Sequence, residues 1–266
     1  MNYTQALTLD QIQDRAPSAF AGQPYHKQSD RYAFIPTSDV IAGMQDSGFV
    51  PVMASQSRSK IEGKSFFTKH MIRFRDQSAL TQEAIVGNSV LEAVLINSHD
   101  GTSAYKLMLG IFRFVCSNGM VVADSTFESI HIRHTGNVLT EVVEGSKRLF
   151  SEGAKILDVI GQWQGIDLVQ PEQLALAEAA HTVRFGADSP IEASSLLTAR
   201  RYDDQGNDLW RTFNRIQENA TKGYRTRQRD ENGRRIGVRQ VKSIDGNTSL
   251  NQALWQLASK MAELKA

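Results

Sequence analysis

The sequence has a single cysteine, Cys116, among 266 residues. One cysteine excludes a disulfide framework and any cysteine-rich zinc module. Long apolar runs are missing as well. The richest, LMLGIFRFVC at 107–116, is interrupted by Arg113, and nothing approaches the roughly 18 residues of a membrane span. The stretch from Met1 to Arg15 is polar and lacks the apolar core of a signal peptide. A cytoplasmic chain with no membrane partner is therefore the expectation. No glycine-rich phosphate loop links a strand to a helix, which argues against Rossmann and P-loop domains. An excess of either charge is also lacking: 30 cations face 29 acids, for a net +1. That excludes a uniformly basic, histone-like binder but leaves local patches open. What is present is ordinary for a globular protein, 41% apolar and 22% charged, so whole-chain disorder is excluded too.

The first 30 residues are polar. Thr8 and Gln11 have capping-box spacing ahead of one short helix. Pro17, Gly22 and Pro24 then punctuate the chain and predict a loosely packed arm over 1–30. Thr37 is placed to N-cap a helix running from Ser38 to about Asp46, with Gly48 as its stop. From 49 to 134 the pattern becomes period two. FVPVMAS, SFFTKHMIRF, AVLINS, YKLMLGIFRFVCS, MVVAD and ESIHIRH read as strands. HisAspGlyThr at 99–102 and SerAsnGly at 117–119 supply turns between them, which implies an antiparallel meander.

Helices dominate from Val138. A stripe through Val142, Leu149, Phe150, Ile156, Leu157 and Ile160 predicts a helix over 138–162. Pro171 suits the first turn of the next, and Gly186 its end. Ser189, Pro190 and Glu192 have the form of a further capping box. A helix from Asn207 or Asp208 to Gly223 would bury Leu209, Phe213, Ile216 and Ala220. It would turn Asn214, Gln217 and Glu218 toward its polar or boundary side, where Asn214 and Arg215 could help a site but a solvated face is the simpler reading. A last helix after Asn247 or Thr248 carries the stripe Leu250, Leu254, Leu257, Met261, Leu264. The expected fold is α+β: an antiparallel β-meander over 49–134 packed against a helical half over 138–266. No linker separates the two, so 31–266 reads as one domain.

The strongest local signal is the segment 222–242. It holds Lys222, Arg225, Arg227, Arg229, Arg234, Arg235, Arg239 and Lys242 against Asp230 and Glu231, a net +6. The remaining 245 residues therefore sum to −5 against a total of +1. Arginine grips two phosphate oxygens with one planar fork, and Tyr224 would stack on a base beside that charge. AspGluAsnGly at 230–233 predicts a turn, and so a basic hairpin or loop. A second cluster comprises Arg58, Lys60 and Lys64 with Arg73 and Arg75, the last two sharing one face of a strand. That face would make a positive floor for a nucleic-acid backbone.

Signals for catalysis are weaker. His99 and Asp100 pair acid–base chemistry with turn chemistry, and AspGly favours the turn. A metal-dependent nuclease would need them with Glu128 or Asp124. His131 and His134 lie three apart in a strand, on opposite faces. No metal site and no cofactor is indicated. Cys116 ends an apolar strand, where a lone cysteine acts as a small hydrophobe. Trp210, Phe213, Leu254 and Trp255 have the spacing of helix packing.

Several ordered motifs carry a resemblance. TyrAlaPheIleProThr at 32–37, SerGlyPheValProVal at 47–52 and HisMetIleArgPheArg at 70–75 are followed by LeuIleAsnSerHisAspGlyThrSerAla at 95–104 and PheArgPheValCysSerAsnGlyMetVal at 112–121. LeuTrpArgThrPheAsnArgIleGlnGluAsn at 209–219 and LeuAsnGlnAlaLeuTrp at 250–255 complete the set. Together they resemble the phage/plasmid-like protein family, a domain of unknown function, over about 30–260. The resemblance implies a mobile genetic element and hence nucleic-acid metabolism or conflict with host defence. In outline, a meander backed by a long helix is also similar to phage single-strand annealing proteins. Three expectations follow. The first is a non-enzymatic binder of DNA, single-stranded by preference, or of RNA, acting in recombination or replication. It would be a homo-oligomer if it anneals strands, because aligning two strands needs a repeated groove. The second is an anti-defence factor docking on a host protein. The third is the nuclease.

Overall fold

A computed structural model of the chain describes residues 5–26, 34–80, 89–113, 119–121, 130–132 and 137–266. The fold is α+β. The chain divides into two compact units, Met1–Ala154 and Lys155–Ala266. Strands and early helices make the first. The second is mostly helical, and the division falls inside one long helix.

The first unit is built on an antiparallel sheet. Its strands are β1 (Phe49–Gln56), β2 (His70–Asp76), β3 (Ser89–Asn97) and β4 (Tyr105–Arg113), hydrogen-bonded in chain order. Two three-residue strands, β5 (Gly119–Val121) and β6 (Ile130–Ile132), both pair with β4. This is the meander expected from the alternation. The register puts Phe74 opposite Ala93 at the end of the β2–β3 pairing, next to Arg75 and Glu92, and Glu92 opposite Gly110 on β4. A bulge interrupts β1 between Pro51 and Met53, where proline has no amide to give the ladder.

One sheet face carries Phe49, Ile72, Phe74, Leu107, Leu109 and Ile111, all buried. Helices α2 (Thr37–Asp46) and α3 (Val138–Gln164) belong to this side. Phe49 stacks on Phe150 of α3. A Cβ at Gly153 of α3 would collide with the end of Leu91, and one at Gly145 would press tightly on Ile130 and Leu107. The opposite face is buried as well, with Arg73, Arg75, Glu92, Val94, Ile96, Met108 and Phe112 largely out of solvent.

The N-terminal segment corrects an expectation. Helix α1 (Leu9–Arg15) has the Thr8–Gln11 capping box read from the sequence. The segment after it is not loosely held. Ile12, Ala16, Ser18 and Ala19 are fully buried. The Leu7 amide donates to Pro51 at 2.7 Å, and the Ser18 amide to Gln56 at 2.8 Å. Small residues let this segment lie flush on the sheet edge, where apolar burial outweighs turn-rich composition.

The second unit holds the rest of α3, α4 (Gln170–Phe185), α5 (Leu209–Thr221), a two-stranded hairpin of β7 (Tyr224–Arg229) and β8 (Arg235–Val238), and α6 (Ile244–Lys265). Pro171 and Gly186 bound α4 as expected, and Asp208 caps α5 by accepting from the Arg211 amide. Helix α6 begins earlier than its stripe suggested, because Ser243 caps it through the Gly246 amide. The Ser189–Glu192 box opens no α-helix; only a 3-10 turn over Ala193–Leu197 follows. Trp163, Trp210, Phe213 and Trp255 form one aromatic cluster, with ring centroids 4.5–6.3 Å apart. This is the core role expected of Trp210, Phe213 and Trp255.

Helix α5 is amphipathic in sequence, yet its polar side is buried too. Asn214, Arg215, Gln217, Glu218 and Asn219 are buried beside its apolar residues. Each of these side chains finds a partner, although Arg215 Nε itself makes no hydrogen bond among the described residues. Arg215 donates to the carbonyls of Asp204 and Gly206 and to Gln173. Asn219 donates to the carbonyls of Leu196 and Thr198, and Gln217 to Asn251. The helix thus staples the irregular stretch 193–206 to the unit from within.

Candidate functional site

The hairpin of the second unit follows directly from its sequence. Residues 231–233 form its three-residue tip. The Gly233 amide donates to the Asp230 carbonyl at 2.9 Å, and the Asp230 amide to the Arg234 carbonyl at 2.8 Å. Gly233 takes φ +75°, which glycine adopts without strain. The Asp230 carboxylate accepts from the Asn232 and Arg234 amides. The acidic residue therefore shapes the turn instead of pairing with an arginine.

Alternation then sorts the strands. Thr226 and Val238 point inward and are buried. Arg225, Arg229, Arg234, Arg235 and Arg239 are exposed, as is Lys242 just beyond β8. Arg229 stands opposite Arg235 in the register, and Arg225 opposite Gly237. Arg225 lies over Gly237, whose missing side chain leaves it space. Its guanidinium donates to the Arg235 carbonyl, and that of Arg229 to the Gly233 carbonyl. Among the described residues none of these six cations forms an ion pair. Like charges directly opposed on a ladder are destabilising, so the fold alone gives no reason to keep them there. Arg227 lies within β7; its side chain is outside the described atoms.

Two members of the segment have other roles. Lys222 bonds Glu218 at 2.6 Å. Burial alone would raise the Glu218 pKa, but hydrogen bonds from Arg201 and Lys222 outweigh it and hold the carboxyl below its usual range. Tyr224 is half-buried. Its hydroxyl meets Ser195 at 3.1 Å, and Arg200 covers its ring at 4.7 Å. These contacts anchor the hairpin to the unit.

In the first unit the second basic cluster separates into two groups. Arg58 and Lys60 are exposed on the loop joining β1 to β2. Lys64 on the same loop reaches Asp100 at 3.2 Å and lies 5.7 Å from the Tyr25 ring centre. Arg73 and Arg75 are withdrawn. Arg75 is fully buried and bonds Glu92 at 2.6 Å; Arg73 pairs with the same carboxylate. Both guanidinium groups lie against the Phe112 ring, at 4.3 and 5.1 Å. Burial pulls the Arg75 pKa down, and the Glu92 charge acts against this. The positive floor expected on this strand is instead an interior Arg–Glu–Arg group that meets no phosphate.

His99 and Asp100 also separate. Asp100 makes the turn: its carboxylate accepts from the Thr102 amide, and Gly101 takes φ +76°. Burial alone would raise its pKa, but hydrogen bonds from Thr102 and Lys64 outweigh that and lower it. His99 is fully buried and joins a polar knot centred on Thr37. Thr37 Oγ1 lies 2.9 Å from His70 Nε2, 3.2 Å from His99 Nε2, 3.2 Å from the Tyr105 hydroxyl and 3.1 Å from Asn97 Nδ2. The Thr68 carbonyl, 3.1 Å from His70 Nδ1, can only accept. The Ser18 hydroxyl, 3.0 Å from the same nitrogen, can donate or accept; a proton on Nδ1 satisfies the Thr68 carbonyl and leaves Nε2 to accept from Thr37. Burial lowers the His70 pKa from 6.5 to about 4, against weaker opposing effects of the Thr68 carbonyl and Asp100. Thr37 thus does not cap α2, as its position suggested; Pro36 holds that position, and the hydroxyl turns inward. The knot is sealed from solvent and ties α2 to β2, β3 and β4.

No group of three or more His, Cys, Asp or Glu able to hold a metal occurs among the described residues. Cys116, Asp124, Glu128 and His134 lie outside those residues. Of His131, only its backbone place in β6 is described. No helix among the described residues is long and apolar enough to cross a membrane.

Comparison with known proteins adds lineage without chemistry. The family described as "Domain of unknown function (DUF932)" matches residues 24–255, and the chain belongs to that family. It is similar to the UPF0380 protein YafZ of Escherichia coli (strain K12), 39% identical over 256 residues, 96% of this chain and 91% of that protein. It is equally similar to the UPF0380 protein YfjQ of the same organism, 39% identical over the same shares. No solved structure matches.

Proposed function

We propose that this chain binds nucleic acid through the β7–β8 hairpin, with single-stranded DNA as the favoured ligand, in the recombination or replication of a mobile element. The carrying observation is the set of six exposed cations that form no ion pair among the described residues, including the opposed pair Arg229 and Arg235. Phosphate neutralisation supplies the binding energy for such a surface, and the two short strands hold the arginines in a fixed array. The mobile-element setting rests on the ordered motifs and the family they resemble. Strand annealing would further require several copies, so that hairpins line a continuous groove.

The test is fluorescence anisotropy with a labelled single-stranded oligonucleotide across a salt series. Six phosphate contacts give a slope of log K against log salt near −4, about a hundredfold loss or more between about 50 and 200 mM. Replacing Arg225, Arg229, Arg234 and Arg235 together with Ala removes most of that slope. Unchanged binding in the quadruple variant overturns the proposal. An acidic protein partner is then the alternative, read by a host-lysate pull-down that survives nuclease treatment.

A further inference from the structure

The loop between β1 and β2 presents an aromatic side chain in a way the hydrophobic effect does not favour. Phe66 and Phe67 are neighbours in one 3-10 turn, Lys64–Phe67. Phe67 packs beside Tyr25, with ring centroids 5.4 Å apart. Phe66 is 58% exposed, and Ile61 on the same loop is 59% exposed. An exposed phenyl group has no polar atom to satisfy, unlike an exposed tyrosine.

The loop is held at its base. The Ser57 amide donates to the Lys69 carbonyl at 2.7 Å, and the Thr68 hydroxyl donates to the Ser57 carbonyl at 2.9 Å. Gln56 Nε2 donates to the Ser65 carbonyl at 3.1 Å, and the Phe67 carbonyl accepts from the His99 amide at 3.0 Å. The turn carrying Phe66 is thereby fixed to β1 and to the β3–β4 turn. The setting is cationic: 57–69 contains Arg58, Lys60, Lys64 and Lys69 against Glu62. Arg58 and Lys60 form no ion pair among the described residues.

We infer that this loop is a second nucleic-acid contact, in which Phe66 stacks on an unpaired base while Arg58 and Lys60 hold the flanking phosphates. Every base offers a π-face, so such a platform is tolerant of sequence but selective for single strands. A duplex keeps its bases stacked on one another and offers Phe66 nothing. Two apolar side chains are too little area for stable anchoring in a bilayer interface, which favours a nucleic acid over an anionic membrane. The inference rests on the proposed nucleic-acid function and adds to it a stacking platform on a different loop, which would select single strands over duplexes.

The test uses the full chain with Phe66→Leu and Phe66→Trp, titrated with a 20-nucleotide single strand, the matching duplex and anionic vesicles. Phe66→Leu is expected to weaken single-strand binding by roughly 5- to 100-fold, from the loss of one stacked base. Duplex binding should change less than about twofold. Phe66→Trp should retain single-strand binding and show fluorescence quenching on saturation, beyond the wild-type signal of the buried tryptophans. Equal loss on both nucleic acids, no loss on either, or an absence of quenching overturns the stacking role. Vesicle binding that depends on Phe66 overturns it in favour of a membrane. If the wild type binds no nucleic acid, the hairpin proposal fails first. If the quadruple hairpin variant loses binding and Phe66→Leu does not, only this inference fails.

Discussion

Strands β2 and β7 carry the same arginine pattern and put it to opposite ends. Arg73 and Arg75 stand two apart in β2, as Arg225, Arg227 and Arg229 do in β7, where the register shifts between Arg225 and Arg229. In β2 both are buried against Glu92 and the Phe112 ring. In β7 the described arginines face solvent, and the residue opposite Arg229 is another arginine. The difference lies in the neighbouring strand. An acid supplied by β3 makes the first pair part of a core; a cation and a glycine supplied by β8 leave the second as a charged surface. Alternating arginine is thus no sign of an exposed face until the register assigns its partner.

The largest effect that tests this contrast is expected from Glu92→Ala. It leaves two guanidinium groups buried without a counter-charge, which costs about 3–5 kcal/mol. Urea unfolding reads this as a large fall in midpoint. A change below about 1 kcal/mol would mean that solvent reaches Arg73 and Arg75, and the two strands would then be alike. The quadruple hairpin variant should shift the same midpoint little, since exposed substitutions usually fall within about 0.5 kcal/mol each.

The polar knot in the first unit gives the next effect. His70 is held neutral by burial, with its pKa lowered from 6.5 to about 4. In the unfolded chain it protonates near 6.5, so below that pH the unfolded state binds more protons. Its contribution is whole above about pH 6.5 and declines as pH falls toward 4, by on the order of 3 kcal/mol. Unfolding midpoints at pH 7 and 4.5 should differ more in the wild type than in His70→Gln. Equal pH slopes would show His70 to be solvated, as the hairpin cations are.

Local chemistry was legible in the sequence; pairings across the chain were not. The Thr8–Gln11 box, the Asp208 cap, Pro171 and Gly186 were readable because each acts within four residues of itself. The strands were readable through their alternation, and the hairpin through its tip. The burial of Arg73 and Arg75 depends on Glu92, seventeen residues beyond Arg75, and only a known register joins them. The same limit hid the Thr37 knot, whose members span residues 37 to 105, and the buried polar side of α5. Polarity predicts exposure only when no partner is in reach. Both of those networks supply partners from distant segments. The contact of Arg200 with the Tyr224 ring was hidden in the same way, because Arg200 arrives from 24 residues upstream.

The smallest effect is the most direct test of what the hairpin is for. Arg229 and Arg235 oppose each other, and neither forms an ion pair among the described residues. Arg235→Gln keeps the length and polarity of the side chain and removes one charge. If the pair is retained against the interest of the fold, the variant should be more stable by a few tenths of a kcal/mol, about the size of an unfavourable cross-strand charge pair. The salt slope for single-stranded DNA should fall in magnitude by about 0.7, the share of one phosphate contact. Thermal unfolding and the salt series together separate the possibilities. Lower stability with an unchanged slope would make Arg235 structural, in the manner of Arg75. Higher stability with a reduced slope would show that the hairpin keeps a repulsion its own fold would be better without.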